Sequence, residues 1–404
     1  MFFFLPYGNN RRTRRFPTVT YALIAVNILV FCCQYPAIDG TVKELGLYPG
    51  HPTLGSIFTS MFAHGSISHL LWNMLFLWLF GPNVEDALGR LEYGIFYAGS
   101  GLAAALLHIV IVRQFMPSTA DIPMVGASGA IAGILGIFAV RFYKTRIKIW
   151  YVIFFLFIKW GKFTISAMVG LGIWFAQQLW GGIASINHPQ GEGIAYWSHI
   201  GGMIFGIILA YAMSMVMEGS KEYLMDDAQT SMQRGETMAA AGNLMAFIEK
   251  EPGNPDAHAN LARTFAMEKN TDLAAKHYIN GIELLLRQGR MENASALYQE
   301  LMHENPSARP GIVTELRIAR HIADKGDFNG ALPILERITR EHPGTPESEV
   351  ALMKLGEICL GPCANPGMAA SCFERLLKDF PFSSYRPMVE KRLAEARSRM
   401  NTTR

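Results

Sequence analysis

The sequence predicts an all-α protein in two parts, a bundle of six transmembrane helices followed by a soluble α-helical repeat domain. Three observations carry this: an abrupt change in charge density near residue 218, six long apolar stretches before it, and a recurring Ala…Pro pattern after it. Residues 1–218 hold 13 Lys/Arg and 8 Asp/Glu, whereas the shorter segment 219–404 holds 23 and 25. The first part is almost three times poorer in charge per residue, which is membrane composition; the second is ordinary soluble composition. The net charge of +3 sums a basic part and a slightly acidic one, so no nucleic-acid partner is expected.

The division this implies is an N-terminal cytoplasmic segment (1–16), a membrane domain (17–217), a linker (218–240) and a cytoplasmic repeat domain (241–404). A membrane span needs about 20 apolar residues. Stretches of that kind lie at roughly 17–35, 58–80, 91–112, 127–142, 163–182 and 195–217. The first follows Arg11, Arg12, Arg14 and Arg15 but has no small-residue cleavage pattern after it, so it reads as a retained helix. A further apolar stretch, about 147–158, is too short to span and reads as interfacial or re-entrant.

Lys/Arg placement orients the bundle. With the N-terminus inside, eleven basic residues fall on cytoplasmic stretches and only Lys43 and Arg113 outside. The C-terminal half is then cytoplasmic too. Five scattered cysteines, with no C-x-x-C pair, fit a reducing compartment rather than a disulfide framework. The spacing of Cys359, Cys363 and Cys372 is not a standard zinc pattern, and no metal is expected.

Polar groups inside membrane helices are costly and are functional candidates by default. The second span contains His64, His69 and Asn73, the last two four apart and so on one helix face. The fourth opens on Gly126-Ala-Ser128-Gly129 and the sixth on Ser198-His199-Ile-Gly201-Gly202. These three spans share a direction, so His69, Ser128 and His199 fall in the outer half of the membrane, with Asn73 a turn below. Ala132 and Gly136 on Ser128's face, and Gly202 and Gly206 after His199, allow close approach of the two helices. Ser128 is then a nucleophile and His199 its base. Asn73, His69 and the Ser128 backbone N–H are donors for an oxyanion. No aspartate near the sixth span orients His199, which makes a Ser–His dyad.

These motifs, with Gly81-Pro-Asn-Val84-Glu85-x2-Leu88-Gly89 read as a turn after the second span, resemble the rhomboid intramembrane serine proteases from about Thr18 to Met217. The resemblance implies a cofactor-free endopeptidase that cleaves single-span membrane proteins near their outer face. His64 lies in the outer part of its cavity, and substrates enter from the lipid bilayer past a fifth-span gate that includes Trp174 and Phe175. It further implies a multi-pass protein of a bacterial inner (plasma) membrane. A non-catalytic adaptor that binds spans and recruits partners through the repeats is the alternative. Two family features are missing: a Trp-Arg pair in the first loop, absent from residues 36–57, and a Tyr four residues after the serine, which is Ala132 here.

In the soluble half, Ala294-x3-Tyr298-x2-Leu301, Ala331-x3-Leu335-x2-Ile338 and Ala369-x3-Phe373-x2-Leu376 each run to a proline, Pro306, Pro343 or Pro381. Ala241…Pro252 repeats the ending. This resembles tetratricopeptide helical hairpins, in which Ala permits close approach, the larger residue fills the groove and Pro ends the second helix. The resemblance implies a scaffold for a protein or peptide partner.

Overall fold

The computed structural model describes residues 2–11, 13–154, 158–188 and 194–402. They form two compact units, Met1–Tyr223 and Leu224–Arg404.

In the first unit, β1 (Phe2–Asn9) precedes α1 (Thr18–Gln34), α2 (Ile38–Leu45), α3 (Leu54–Thr59), α4 (Ile67–Leu88), α5 (Arg90–Phe115) and α6 (Ser128–Arg141). Strands β2 (Arg146–Phe154) and β3 (Ile158–Ser166) follow, then α7 (Ala167–Asn187), α8 (Tyr196–Ala212) and α9 (Met215–Gln233). The stretch Thr18–Leu45 and helix α5 are each long and apolar enough to cross a membrane, and α8 with α9 makes a third if their 70° bend is one broken span. Helices α4 and α7, of 22 and 21 residues, are long enough, but His69 and Asn73 in one and Gln177 and Gln178 in the other lower their hydropathy. The residues that build a site are what dilute the membrane signal.

The structure corrects the all-α expectation. A three-stranded antiparallel sheet, ordered β1-β2-β3, pairs Phe2 with Ile153 and Arg146 with Ser166. The stretch read as interfacial or re-entrant is thus mostly strand β2, and residues 163–166 belong to β3 rather than to a fifth span. Ile147, Ile149, Val152, Ile153, Phe163 and Ile165 are β-branched or aromatic and favour a pleated surface. The run is apolar on both faces, so it shows no period-2 alternation by which to recognise a strand.

Three other boundaries move. The second span begins at Ile67, capped by Ser66 Oγ accepting from His69 N, which leaves His64 in the preceding loop. The Gly81…Gly89 motif is not a turn: α4 continues through Pro82 to Leu88, and only Gly89 turns the chain, at φ +95°. Pro82 cannot donate to the helix ladder; beside it, Asn9 Nδ2 donates to the Leu79 carbonyl and to Asn83 Oδ1. Helix α8 stops at Ala212, and Ser214 at φ +55° sets the bend into α9. Near the start of α9, Glu222 pairs with Arg141 of α6 at 2.8 Å and with Arg11, which also lies over the Phe142 and Tyr223 rings.

Glu85, within that motif, caps α1. Pro17 at the N-cap offers no side-chain acceptor, and the buried Glu85 carboxylate accepts from Val19 N at 3.0 Å and from Thr20 N and Oγ1 at 2.7 Å. Stranding these donors costs about 2–4 kcal/mol. Glu85→Ala is therefore expected to lower the thermal midpoint of the purified protein by several degrees, and Glu85→Gln by less; an unchanged midpoint for Glu85→Ala contradicts the capping role.

The second unit contains helical hairpins built from α10 (Thr237–Lys250), α11 (Pro255–Met267), α12 (Thr271–Arg287), α13 (Met291–Glu304) and α14 (Ile312–Asp324). They continue through α15 (Phe328–Glu341), α16 (Pro346–Leu360), α17 (Pro366–Asp379) and α18 (Arg386–Thr402). The periodic residues are its core: Ala294, Leu301, Ala331, Leu335, Ile338, Ala369, Phe373 and Leu376 are all fully buried. Helices α10, α13, α15 and α17 each end two residues before the repeating proline, since the residue before Pro is pushed out of helical geometry. Cys359 and Cys372 are buried, which pushes both thiols up to about 11; they are protonated, unreactive core residues at neutral pH.

One polar pair sits inside this unit. His258 Nε2 donates to the Pro252 carbonyl at 3.3 Å, so its Nδ1, 3.0 Å from His277 Nδ1, is the acceptor between the rings. Burial, with His258 and Lys276 nearby, lowers His277 to about 4, and burial lowers His258 as well. Folded-state values below the ordinary 6.5 mean that both rings stay neutral where the unfolded chain takes up protons. Stability is then full above pH 6.5 and falls as the pH drops toward 4. Hydrogen exchange over α11 and α12, corrected for intrinsic rate, should show less protection at pH 5 than at pH 7, and His277→Phe should flatten the difference. Equal protection in the wild type at both values contradicts it.

Candidate functional site

The first turns of three helices meet at one place. Ser128 is the first residue of α6, His199 the fourth of α8 and His69 the third of α4. His199 Nε2 lies 2.7 Å from Ser128 Oγ, hydrogen-bonding distance for proton transfer. Two backbones hold them at that distance. A Cβ on Gly202 or Gly206 of α8 would collide with the Gly129 or Gly133 carbonyl of α6, and one on Gly136 with the Met203 carbonyl. The small-residue face of α6 is therefore Gly129, Gly133 and Gly136, one residue round from the expected Ser128, Ala132 and Gly136, although the Ala132 Cβ also lies near Gly202.

Across from Ser128, Gly126 has φ +121° and packs against the His69 ring and Asn73 Nδ2, at 2.7 and 3.5 Å from where its Cβ would lie. A side chain there is excluded by both strain and space. Asn73 Nδ2 is buried and, among the described residues, has no hydrogen-bond partner. A buried donor left unpaired costs about 1–3 kcal/mol, so its position beside the start of α6 leaves it free for an acceptor brought by a ligand. The N-terminal N–H groups of α6 point the same way, having no intrahelical carbonyl.

His64 departs from the expected position in the outer part of a cavity. It is fully buried, with its ring 5.2 Å from His69 and 6.5 Å from Phe31, so it backs His69. Trp174 packs its ring 5.9 Å from that of His199, supplying the aromatic contact that Ala132 cannot. Phe175 follows on α7, partly exposed. The missing loop pair also has a counterpart. Arg113, at the end of α5, donates Nε to the Pro49 carbonyl at 2.6 Å and Nη2 to the Gly50 carbonyl at 2.8 Å, while Leu47 and Met124 pair as an isolated bridge. The first loop is thus tied to the segment that leads into Ser128.

One residue that the sequence reading passed over sits at the centre. Gln178 of α7 is 6% exposed, and its Oε1 lies 2.7 Å from His199 Nδ1. The signal was available: Gln177-Gln178 is a polar pair in an otherwise apolar helix. Among the described residues, no group of three or more His, Cys, Asp or Glu is placed to hold a metal.

Fold and site together define a helical membrane domain with a polar cluster between helix ends, joined to a helical-repeat domain. Residues 52–216 match the rhomboid domain family and residues 226–281 the tetratricopeptide repeat, so the chain carries a rhomboid domain followed by tetratricopeptide repeats. Its relatives include "Rhomboid-like protein 11, chloroplastic" of Arabidopsis thaliana, 24% identical over 53% of this chain and 72% of the relative. "Rhomboid protein 1, mitochondrial" of Saccharomyces cerevisiae is 27% identical over 50% and 56%, and "Putative rhomboid protease YdcA" of Bacillus subtilis 30% over 31% and 62%. The chain spans less than two thirds of the length of the last two.

Proposed function

We propose that the chain is an intramembrane serine endopeptidase that cleaves single-span membrane proteins near their outer face. The observation that carries this is the 2.7 Å approach of Ser128 Oγ to His199 Nε2. In this reading His199 takes the Ser128 proton as Oγ attacks the scissile carbonyl. Asn73 Nδ2, the His69 ring and the first N–H groups of α6 receive the oxyanion. His199 then returns the proton to the leaving amine, and a water activated by the same imidazole releases the acyl group. Helix α7, with Trp174 and Phe175, is the gate.

Helices α1, α4, α5, α6, α7 and α8 are proposed as six spans, with both termini and the β-sheet on the cytoplasmic side. The distribution of eleven basic residues against two supports that orientation. A bacterial plasma membrane fits a reducing compartment for the repeats. Tetratricopeptide repeats are a protein-interaction module, so residues 241–404 are proposed to bind a protein or peptide partner and 218–240 to link them to the membrane domain at 17–217.

Reconstitution with a single-span test substrate checks the reading. Wild type should yield two fragments, cut within a turn or two of the outer membrane face. Intact substrate would leave an adaptor that binds spans without cleaving them, and cutting at the cytoplasmic end would contradict the outer-face position of the site.

A further inference from the structure

An imidazole is a base toward Ser128 only in the tautomer that carries its proton on Nδ1 and leaves the Nε2 lone pair free. Something must hold that tautomer, and among the described residues no aspartate is hydrogen-bonded to His199 to do it. Among the described residues, the titratable groups facing His199 are His69 of α4 and His108 of α5, neither of them an anion. The acceptor is Gln178: its Oε1 is 2.7 Å from His199 Nδ1, inside the protein, on a different helix from either dyad member.

The setting indicates a built contact. Helix α7 buries only Ala167, Leu171, Gln178 and Gly182 along its 21 residues, while Ile173, Leu179, Trp180 and Ile183 face outward. A glutamine is a poor choice for one of four buried positions in an apolar helix unless its amide has a partner. One turn earlier, Trp174 packs on the same imidazole. So α7 grips His199 twice, once on the ring face and once on Nδ1–H.

We infer that Gln178 is the positioning residue of a Ser128–His199–Gln178 relay, fixing His199 as the Nδ1–H tautomer, and that seating of α7 thereby switches the base on. This rests on the protease reading and adds to it the third member that the sequence lacks as an aspartate. A neutral amide orients the ring but does not stabilise imidazolium as a carboxylate does. Displacement of α7 breaks both contacts at once, so a substrate held while α7 is displaced meets an unoriented base, and cleavage waits for α7 to return.

The test uses the full-length protein in proteoliposomes, with kcat and KM for a single-span substrate measured from pH 5 to 9. Gln178→Leu should lower kcat roughly 10- to 100-fold, less than the roughly 10⁴-fold found when a triad aspartate loses its charge, with KM within about two-fold of wild type. Gln178→Glu keeps an acceptor and adds a charge. It should restore most of kcat at high pH and move the acid limb of the profile to higher pH, because a carboxylate stabilises imidazolium and His199 is then protonated, hence inactive, at a pH where wild type still works. Wild-type kcat in Gln178→Leu, or an acid limb in Gln178→Glu that does not move, overturns the relay. Should Gln178→Leu fail to fold, the Gln178→Glu profile decides alone. Ser128→Ala, run alongside, separates the two claims: activity surviving there sinks the protease reading itself, whereas loss there with an unaffected Gln178→Leu sinks only the relay.

Discussion

Ser128→Ala is expected to reduce cleavage by roughly 10⁴- to 10⁶-fold, the scale seen when a serine nucleophile or its histidine is removed elsewhere. His199→Ala should fall equally far, and the double variant no further, because the two act as one unit: the hydroxyl is a poor nucleophile until its proton has somewhere to go. Asn73→Ala should lose only about 10²–10³-fold, the worth of one oxyanion donor. All of these variants should keep their fold, since the close contact of α6 with α8 is made by glycines that they leave untouched. Initial rates on a single-span substrate separate these tiers. A Ser128→Ala protein with more than a few per cent of wild-type rate contradicts the assignment.

The second large effect lies in packing. Gly202 and Gly206 of α8 face the Gly129 and Gly133 carbonyls of α6 so closely that neither accepts a Cβ. The obstacle is backbone, which cannot swing aside as a side chain can. Gly206→Val must push the helices apart, at about 3 kcal/mol or more, and that same motion draws His199 from Ser128, where 1 Å of misplacement costs about 10²-fold. Gly206→Val is therefore expected to lose both thermal stability and activity. Gly242→Ala, at a helical position in α10 with nothing within 4 Å, should lose neither. Wild-type activity in Gly206→Val would show that the contact does not set the Ser128–His199 distance.

How far the molecule could be read from its residues depends on how local each signal is. Ser128, His199, His69 and Asn73 were legible because a polar group in an apolar helix is conspicuous, and their helices share a direction. The repeats were legible through buried alanines and the prolines that follow each second helix. The sheet was not: β2 is apolar on both faces from Ile149 on, β3 scatters Lys159, Lys162 and Thr164 over both of its faces, so neither shows a clean period of two, and β1 lies more than 130 residues before its partner. Glu85 looked like part of a turn because Gly81 and Pro82 flank it, yet the helix runs through both, and its role depends on the distant N-terminus of α1. Gln178 belongs to no motif, and its meaning appears only when α7 is laid against His199.

If His199 activates Ser128, a serine-directed fluorophosphonate reads that activation out without a substrate. The intact protein in proteoliposomes is labelled, digested and the adduct located by mass spectrometry. A single adduct on Ser128 that disappears in His199→Ala is expected. Label on another serine, or label on Ser128 that persists undiminished in His199→Ala, would contradict it.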